Sequence, residues 1–552
     1  MNLLKLFSIL FLSIISSSAF AQEKKYYISA PTDLKEEGWN KVLCMKNGNT
    51  MLFHFEPNKR IIVKVFDTTH KEIASIKESC KLLDILTIRD TSFRGVYDIN
   101  DEGVLFFDQG NSGKHELVRL RFHSANGNLI EEALVAESKS LDKRMRFYVM
   151  KNKDNDNYEI LFCTDKQHPK ESDIFIAYFN SKHESIKDIQ LEVDRKKFDY
   201  LHVLGAESLP NGILVTLGVD KKLTYGRQDE ATALKVGGTI YEHYLSFYYI
   251  PKDSATPKTA LIDLTAAVFP FYAIYTYNSF ARSLNLLLFS YKPLFSQFGL
   301  NRMAGKVSSS LFFKVDEQDF TIGYSKIKNQ IASDLLKQHT DTFNFFDGIP
   351  IKMFTNENGL STLISQSVTR FGEQETRITY NLEDYIGNIG ITQFDDDGNE
   401  LWGTVLPLAQ YFKSYKHHYS IKEMAKRWQE QEVFGDEPPR VYNRQFVSVN
   451  AYSHDKNFYI IYNDYDKNFN NSLSKPGDTV YSFDITNACY YKINSKKEIT
   501  KNYLFGKSSA NEYKTSFIEG ADFDEQRGIY AALVQYRKND KVTLCMAWRR
   551  LD

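Results

Sequence analysis

One unit recurs along this chain and limits what it can fold into. It consists of four short apolar-rich runs separated by polar turns. The first copy reads Lys41–Met45, Met51–Phe55, Ile61–Phe66 and Glu72–Ile76, with turns at Asn47-Gly48-Asn49, Pro57-Asn58 and Asp67–Lys71. Runs of this length, bounded by turn formers, predict short antiparallel strands. Ile389–Val405 shows one hairpin of the unit clearly: an apolar strand up to Phe394, a polar turn at Asp395–Asn399, and a second strand through Leu401 and Trp402. The last apolar residue before each final turn gives the register: Phe66, Phe122, Phe179, Ile250, Val315, Phe394 and Ile493. The next residues are Asp67, His123, Asn180, Pro251, Asp316, Asp395 and Asn494, nearly all turn starters. The steps are 56, 57, 71, 65, 79 and 99 residues, so later copies carry insertions.

The tail extends the pattern. Phe517–Phe523, Gly528–Gln535 and Lys541–Trp548 predict three strands, and an isolated strand stands near the start at Tyr26–Ile28. The orphan strand is expected to complete the last unit by pairing the two ends of the chain, which removes exposed sheet edges. Seven full units and a three-strand tail resemble β-propeller proteins in general. That resemblance implies an all-β, eight-bladed propeller in a single domain over residues 22–552, with seven blades as the alternative. It extends to no named family. Asp396–Trp402 looks like a sialidase aspartate box, but its Gly-to-Trp spacing is one residue too long and it occurs once.

The first residues read as a secretion signal. Lys5 precedes an apolar run, Leu6 to Ile15, and small residues at Ala19 and Ala21 suit signal peptidase, so cleavage is expected after Ala21. The first cysteine is Cys44, which argues against a lipid-anchored start. No segment of the mature sequence is long and apolar enough for a transmembrane helix; Leu264–Tyr277 comes closest and is broken by Pro270. The protein is therefore expected in the periplasm or outside the cell. Lys plus Arg number 69 against 70 for Asp plus Glu, so charge gives no reason to expect a nucleic-acid partner. The 34 Tyr and 40 Phe favour strands over disorder. The cysteines, Cys44, Cys80, Cys163, Cys489 and Cys545, form no metal or disulfide framework, although a pair such as Cys44 with Cys545 is conceivable.

Catalytic patterns are missing: there is no G-x-S-x-G, H-E-x-x-H or G-x-G-x-x-G. Gly506-Lys507-Ser508 fails as a phosphate loop because Lys501 stands where its first Gly belongs. Asp395–Asn399 and Asp464–Asn468 alternate acids as calcium loops do, but in the first Gly398 is out of place and no Glu closes the loop, and in the second Phe469 and Lys475 stand where the Gly and the closing Glu belong. His417-His418 is a tandem pair in a loop, and neighbours so close rarely bind one metal without other ligands. No metal and no cofactor is expected.

Function is expected on one face. Long insertions occur at 164–172, 220–243, 292–308, 328–349, 407–445 and 463–487. Each follows a second strand or joins two units, which puts them at one end of the sheets, where binding loops of repeat proteins gather. The 407–445 insertion carries a helix signal, with Ser420 and Glu423 as a capping box and Met424, Trp428 and Gln431 in one stripe. Tyr225, Arg227, Trp428 and Arg440 are candidate anchors for a partner, and Asp464 and Asp466 candidate acids. The reading that follows is a non-catalytic module binding an envelope protein or a glycan. The alternative is a propeller-fold hydrolase or lyase acting on polysaccharide or peptide, its carboxylates supplied by different blades.

Overall fold

Strands with both faces covered should be apolar throughout, and strands at a sheet's outer edge should alternate. The first sheet shows that gradient. Thr50–Glu56 is buried along its whole length, whereas Glu72–Ser79 alternates exposed and half-buried positions. The structure is a computed structural model. It describes the chain except for residues 1–24, 36–37, 57–59, 84–91, 112–113, 138–143, 153, 166–173, 194–196, 223–233, 237–238, 255, 265–269, 280, 293–305, 340–345, 347, 375–379, 416–445, 447–448, 540 and 552. The predicted signal sequence, Tyr225, Arg227, Trp428, Arg440 and the 420–431 helix lie outside the described residues.

Among the described residues, six antiparallel sheets follow one another along the chain, each with four strands in sequence order, and two of them carry a fifth strand paired with their third. They span 39–79, 92–137, 144–191, 200–263, 270–327 and 349–415. A seventh sheet of nine strands contains two antiparallel groups, joined at the single parallel pair Asn487–Lys514. The front group covers 449–503 and the rear group 512–550. The N-terminal strand Tyr26–Pro31 pairs antiparallel with the last strand, Lys541–Arg550, matching Tyr26 with Arg549 and Ile28 with Ala547.

Each sheet buries its face on the next. Trp39, Phe53 and Val63 of the first sheet pack with Phe93, Leu105 and Phe122 of the second. Later sheets repeat the arrangement, with the sixth packing on the front group through Ile389, Ile391, Val449 and Tyr462. Phe517, Leu533, Met546 and Trp548 of the rear group share a cluster with Val42, Leu52 and Phe66 of the first sheet.

The turn starters do the work their chemistry predicts. Asp67 Oδ1 accepts the amides of Thr69 and Lys71 at 2.8 and 3.0 Å. Asn180, Asp395 and Asn494 accept the amides two and four residues on in the same way. His123 Nδ1 accepts from Ala125 at 3.1 Å. The acidic cluster at 395–399 is thus a self-bonded turn, with Asp396 paired to Lys314.

The structure corrects several expectations. Most of the stretch expected as a strand at Phe517–Phe523 is not strand; it lies between the strands Glu512–Ser516 and Asp522–Asp524. Between them the backbone leaves its sheet, and Gly520 O accepts the amide of Val42 at 2.7 Å. A Cβ at Gly520 would stand 2.5 Å from Asn40 O, so only glycine permits this approach. A helix the sequence reading missed, Gln330–His339, buries Ala332 and Leu336 against Val405 and Phe346. The third strand of the sixth sheet reaches back to Tyr380, and Gln410–Tyr415 pairs with that extension. All five cysteines are free, so Cys44 and Cys545 form no bridge.

Two buried histidines make an acid-sensitive pair. His54 Nδ1 lies 2.7 Å from Asn40 Oδ1, while its Nε2 has no partner. His183 sits among Arg119, Arg121, Tyr158 and Glu102. Burial is the largest cause that brings each down to about 4. The unfolded chain therefore takes up two protons that the fold refuses as pH falls from about 6.5 toward 4. Glu159 acts with the opposite sign, because burial raises it to about 7 and the folded chain holds its proton first. Below about pH 6.5 the net cost is roughly 1.4 kcal/mol per pH unit from these three groups. Thermal unfolding against pH should show this slope, flattened in His54→Gln and steepened in Glu159→Gln.

Candidate functional site

Because strands alternate in direction, second-to-third turns and sheet-to-sheet links leave the same end of each sheet. At that end several hairpins run on past the sheet, as Ser361–Gln374 with Tyr380–Phe394 and Gly212–Lys222 with Thr239–Pro251. The other end has tight turns tied to the neighbouring sheet. Asn100 N donates to Asp156 (3.1 Å), Asn152 Nδ2 to Leu209 O (3.2 Å) and Asn211 N to Glu317 (3.1 Å). Lys456 pairs with Glu357 (3.0 Å), His454 meets Glu525 O (3.0 Å), and Arg527 of the last sheet donates to Met45 O of the first (2.8 Å).

Of the long connections, 463–487 is described throughout, and its geometry can be built residue by residue. Asn463 anchors its start: its Nδ2 donates to Phe446 O and Ser516 O, and its Oδ1 accepts from Ser516 N. Asn468 ties the loop across, donating to Asp464 Oδ1 and Asp478 O at 2.7 Å each and accepting from Asp478 N at 2.8 Å. Tyr465 OH accepts the amides of Tyr481 and Ser482 at 3.1 and 3.2 Å. These bonds fix the far limb of the loop to the near one.

Lys501 is the pin beneath it. Its ammonium lies 3.3 Å from Asp464 Oδ2 and donates to Asn468 O (2.9 Å) and Asn471 Oδ1 (3.2 Å). The rings of Tyr462, Phe469 and Tyr491 stand 5.6, 5.5 and 5.6 Å from it. Asp464 is almost fully enclosed, and burial lifts its carboxyl above the usual range despite Lys501. Asp464 therefore serves the loop's own structure. Asp466, two residues on, is exposed and accepts from Asn487 Nδ2 at 2.8 Å. The two candidate acids are not brought to one point, and among the described residues no group of three His, Cys, Asp or Glu could hold a metal.

What the loop presents outward is aromatic. Tyr481 is 60% exposed, and its ring lies 5.2 Å from Tyr411, which lies 5.0 Å from Tyr385 of the sixth sheet. The sequence reading missed these tyrosines and Lys501. The asparagine-rich run from Asn463 to Asn471 was the available signal, since such residues bond backbone in irregular loops.

Repeated four-stranded antiparallel sheets, each packed on the next around the chain, decide the fold. It is a β-propeller repeat protein. No protein-family model matches the sequence, and no curated protein does. Solved structures that are similar include the WD40 domain of SCAP from fission yeast, at 9% identity over 96% of this chain and 99% of that one, with TM-score 0.34. A post-proline cleaving enzyme from Rickettsia typhi aligns at 12% identity, covering 92% of this propeller and 58% of the enzyme, with TM-score 0.34. A prolyl endopeptidase aligns at 10%, covering 91% and 56%, with TM-score 0.37. The propeller thus spans little more than half the length of either peptidase. None of the helices among its described residues is long and apolar enough to cross a membrane.

Proposed function

We propose that this propeller is an exported, non-catalytic interaction module that binds an envelope protein or glycan on the face carrying the long connections. In this reading it has eight blades, the eighth made of the rear strand group and the N-terminal strand. Its signal sequence is removed after Ala21, and it works in the periplasm or beyond. The eight-blade count is supported by the two-part make-up of the nine-stranded sheet and by the contact of Arg527 with Met45.

The observation that carries the function is the contrast between the two sheet ends. One is closed by short turns bonded from sheet to sheet; the other bears extended hairpins and the 463–487 loop, with Tyr481 outward. Exposed tyrosine on a braced loop offers contact area at low entropic cost. Tyr225, Arg227, Trp428 and Arg440, which lie outside the described residues, are the proposed further anchors.

Cross-linking the tagged protein in its own cells tests this. A stoichiometric partner, lost both on deletion of 416–445 and in Tyr481→Ala, is the expected result. A protein that runs as a free monomer with nothing attached contradicts it and turns attention to polysaccharide and peptide hydrolysis.

A further inference from the structure

No disulfide fastens the 463–487 loop, since all five cysteines are free. The groups beneath it could make another covalent fastening. Lys501 Nζ lies 3.3 Å from Asp464 Oδ2, 3.2 Å from Asn471 Oδ1 and 2.9 Å from Asn468 O. An amine, a carboxyl and a side-chain amide therefore meet at one point. They come from the outer strand Ile499–Tyr503, the end of Asn457–Asp464 and the loop itself. The Lys501 side chain is 10% exposed, and the rings of Tyr462, Phe469 and Tyr491 stand about it at 5.6, 5.5 and 5.6 Å.

Lys64 shows what sets this site apart. It is as enclosed as Lys501, but its carboxylate partners Asp33 and Glu72 stand largely in solvent, 64 and 40% exposed. Solvated carboxylates stay ionised and keep such an amine charged. Asp464 is 2% exposed, and burial, the largest cause, holds its carboxyl above the usual range. In so enclosed a pair the ionic and the neutral forms lie close in energy, because neither charge is well solvated. The Lys501 proton can then pass to Asp464 and leave the amine free to attack. Asn468 Nδ2 donates to Asp464 Oδ1 at 2.7 Å, which turns Oδ2 toward the lysine. Asn471 is half-buried, so a group leaving its amide has a way out.

We propose that Lys501 and Asn471 join in an intramolecular amide cross-link, with Asp464 as the acid–base. Nζ attacks Asn471 Cγ, and the N–C bond forms as the C–O π pair moves to Oδ1. Asp464 gives that oxygen its proton and takes one from Nζ. The proton is then handed to Nδ2, the C–N bond to it breaks, and ammonia leaves as the carbonyl reforms. One amide replaces another, so the step needs no oxidant or reductant. Holding the amine and the amide together in an enclosed site supplies the reactivity that free lysine and asparagine lack. The product is a staple between residues 30 apart that fixes the base of the loop carrying Tyr481, whatever the redox state outside the chain.

Trypsin digestion of the full-length protein after unfolding in urea, read by peptide mass spectrometry, tests this. The expected result is a branched peptide in which Lys501 has resisted trypsin and is joined to the peptide bearing Asn471. Its mass is the sum of the two peptides less one ammonia, while the chain is cut normally after Lys64. Asn471→Ala is expected to restore cleavage after Lys501 completely, and Asp464→Ala to leave the bond unformed. Complete cleavage after Lys501 in the native protein, with no branched peptide, overturns the proposal without reliance on any variant folding. A bridge from Lys501 to Asp464, lighter by one water, overturns it as well, because Asp464 is then the acceptor and not the acid–base.

Discussion

Replacing Trp548 by alanine is expected to lower the stability of the whole protein by about 3–5 kcal/mol, the range for large aromatic truncations in a core. Trp548 belongs to the last strand and is 2% exposed. Its neighbours come from elsewhere: Phe66 of the first sheet at 5.2 Å, His70 stacked at 4.6 Å, and Tyr27 of the N-terminal strand at 5.8 Å. Its Nε1 donates to Thr50 Oγ1 at 3.0 Å. One side chain therefore joins both ends of the chain and the first sheet. Trp548→Phe keeps much of the packing but leaves Thr50 without its donor, so about half the loss is expected. Urea unfolding midpoints measure both; a loss below about 1 kcal/mol for the alanine variant contradicts the packing described.

Lys501→Met is the second large effect. Burial keeps the Asp464 carboxyl raised even with Lys501 against it, so the pair itself contributes little net stability. Removing one partner is different, because Asp464 is then a buried charge with only Asn468 Nδ2 and the Tyr465 amide to meet it. A cost of about 3 kcal/mol is expected, with the double variant Asp464→Asn/Lys501→Met recovering part of it. Local hydrogen exchange should rise across 464–486 in the single variant and leave the first sheet unchanged. A neutral outcome for Lys501→Met means the loop is held by its asparagines alone.

The repeating strands were legible because turn chemistry is local. Asp67, Asn180, Asp395 and Asn494 bond their own turns, and the side chain that starts a turn can be read without knowing the fold. The pairing of Tyr26–Pro31 with the last strand followed from counting: three strands at one end and an orphan at the other. What escaped was non-local. Gly520 interrupts a strand because Asn40, far away in sequence, leaves no room for a side chain. The Gln330–His339 helix had its apolar spacing in Ile331, Leu335 and Leu336, but so short a stretch has no strong period of its own. Asp464 looked like a surface acid because nothing in its neighbourhood names Lys501, 37 residues away.

The measurement that tests the account most directly is hydrogen exchange on the intact protein and on a variant lacking residues 22–32. Thr32 N donates to Leu544 O at 2.7 Å, Met546 N to Ser29 Oγ at 3.0 Å, and Arg550 N to Lys25 O at 2.9 Å. If the chain is a propeller closed by its own ends, amides across 544–550 are protected in the intact protein. In the shortened variant they lose that protection, and the first sheet at 39–79 loosens with them. Identical exchange in the two proteins would contradict the closure and, with it, the eight-bladed reading.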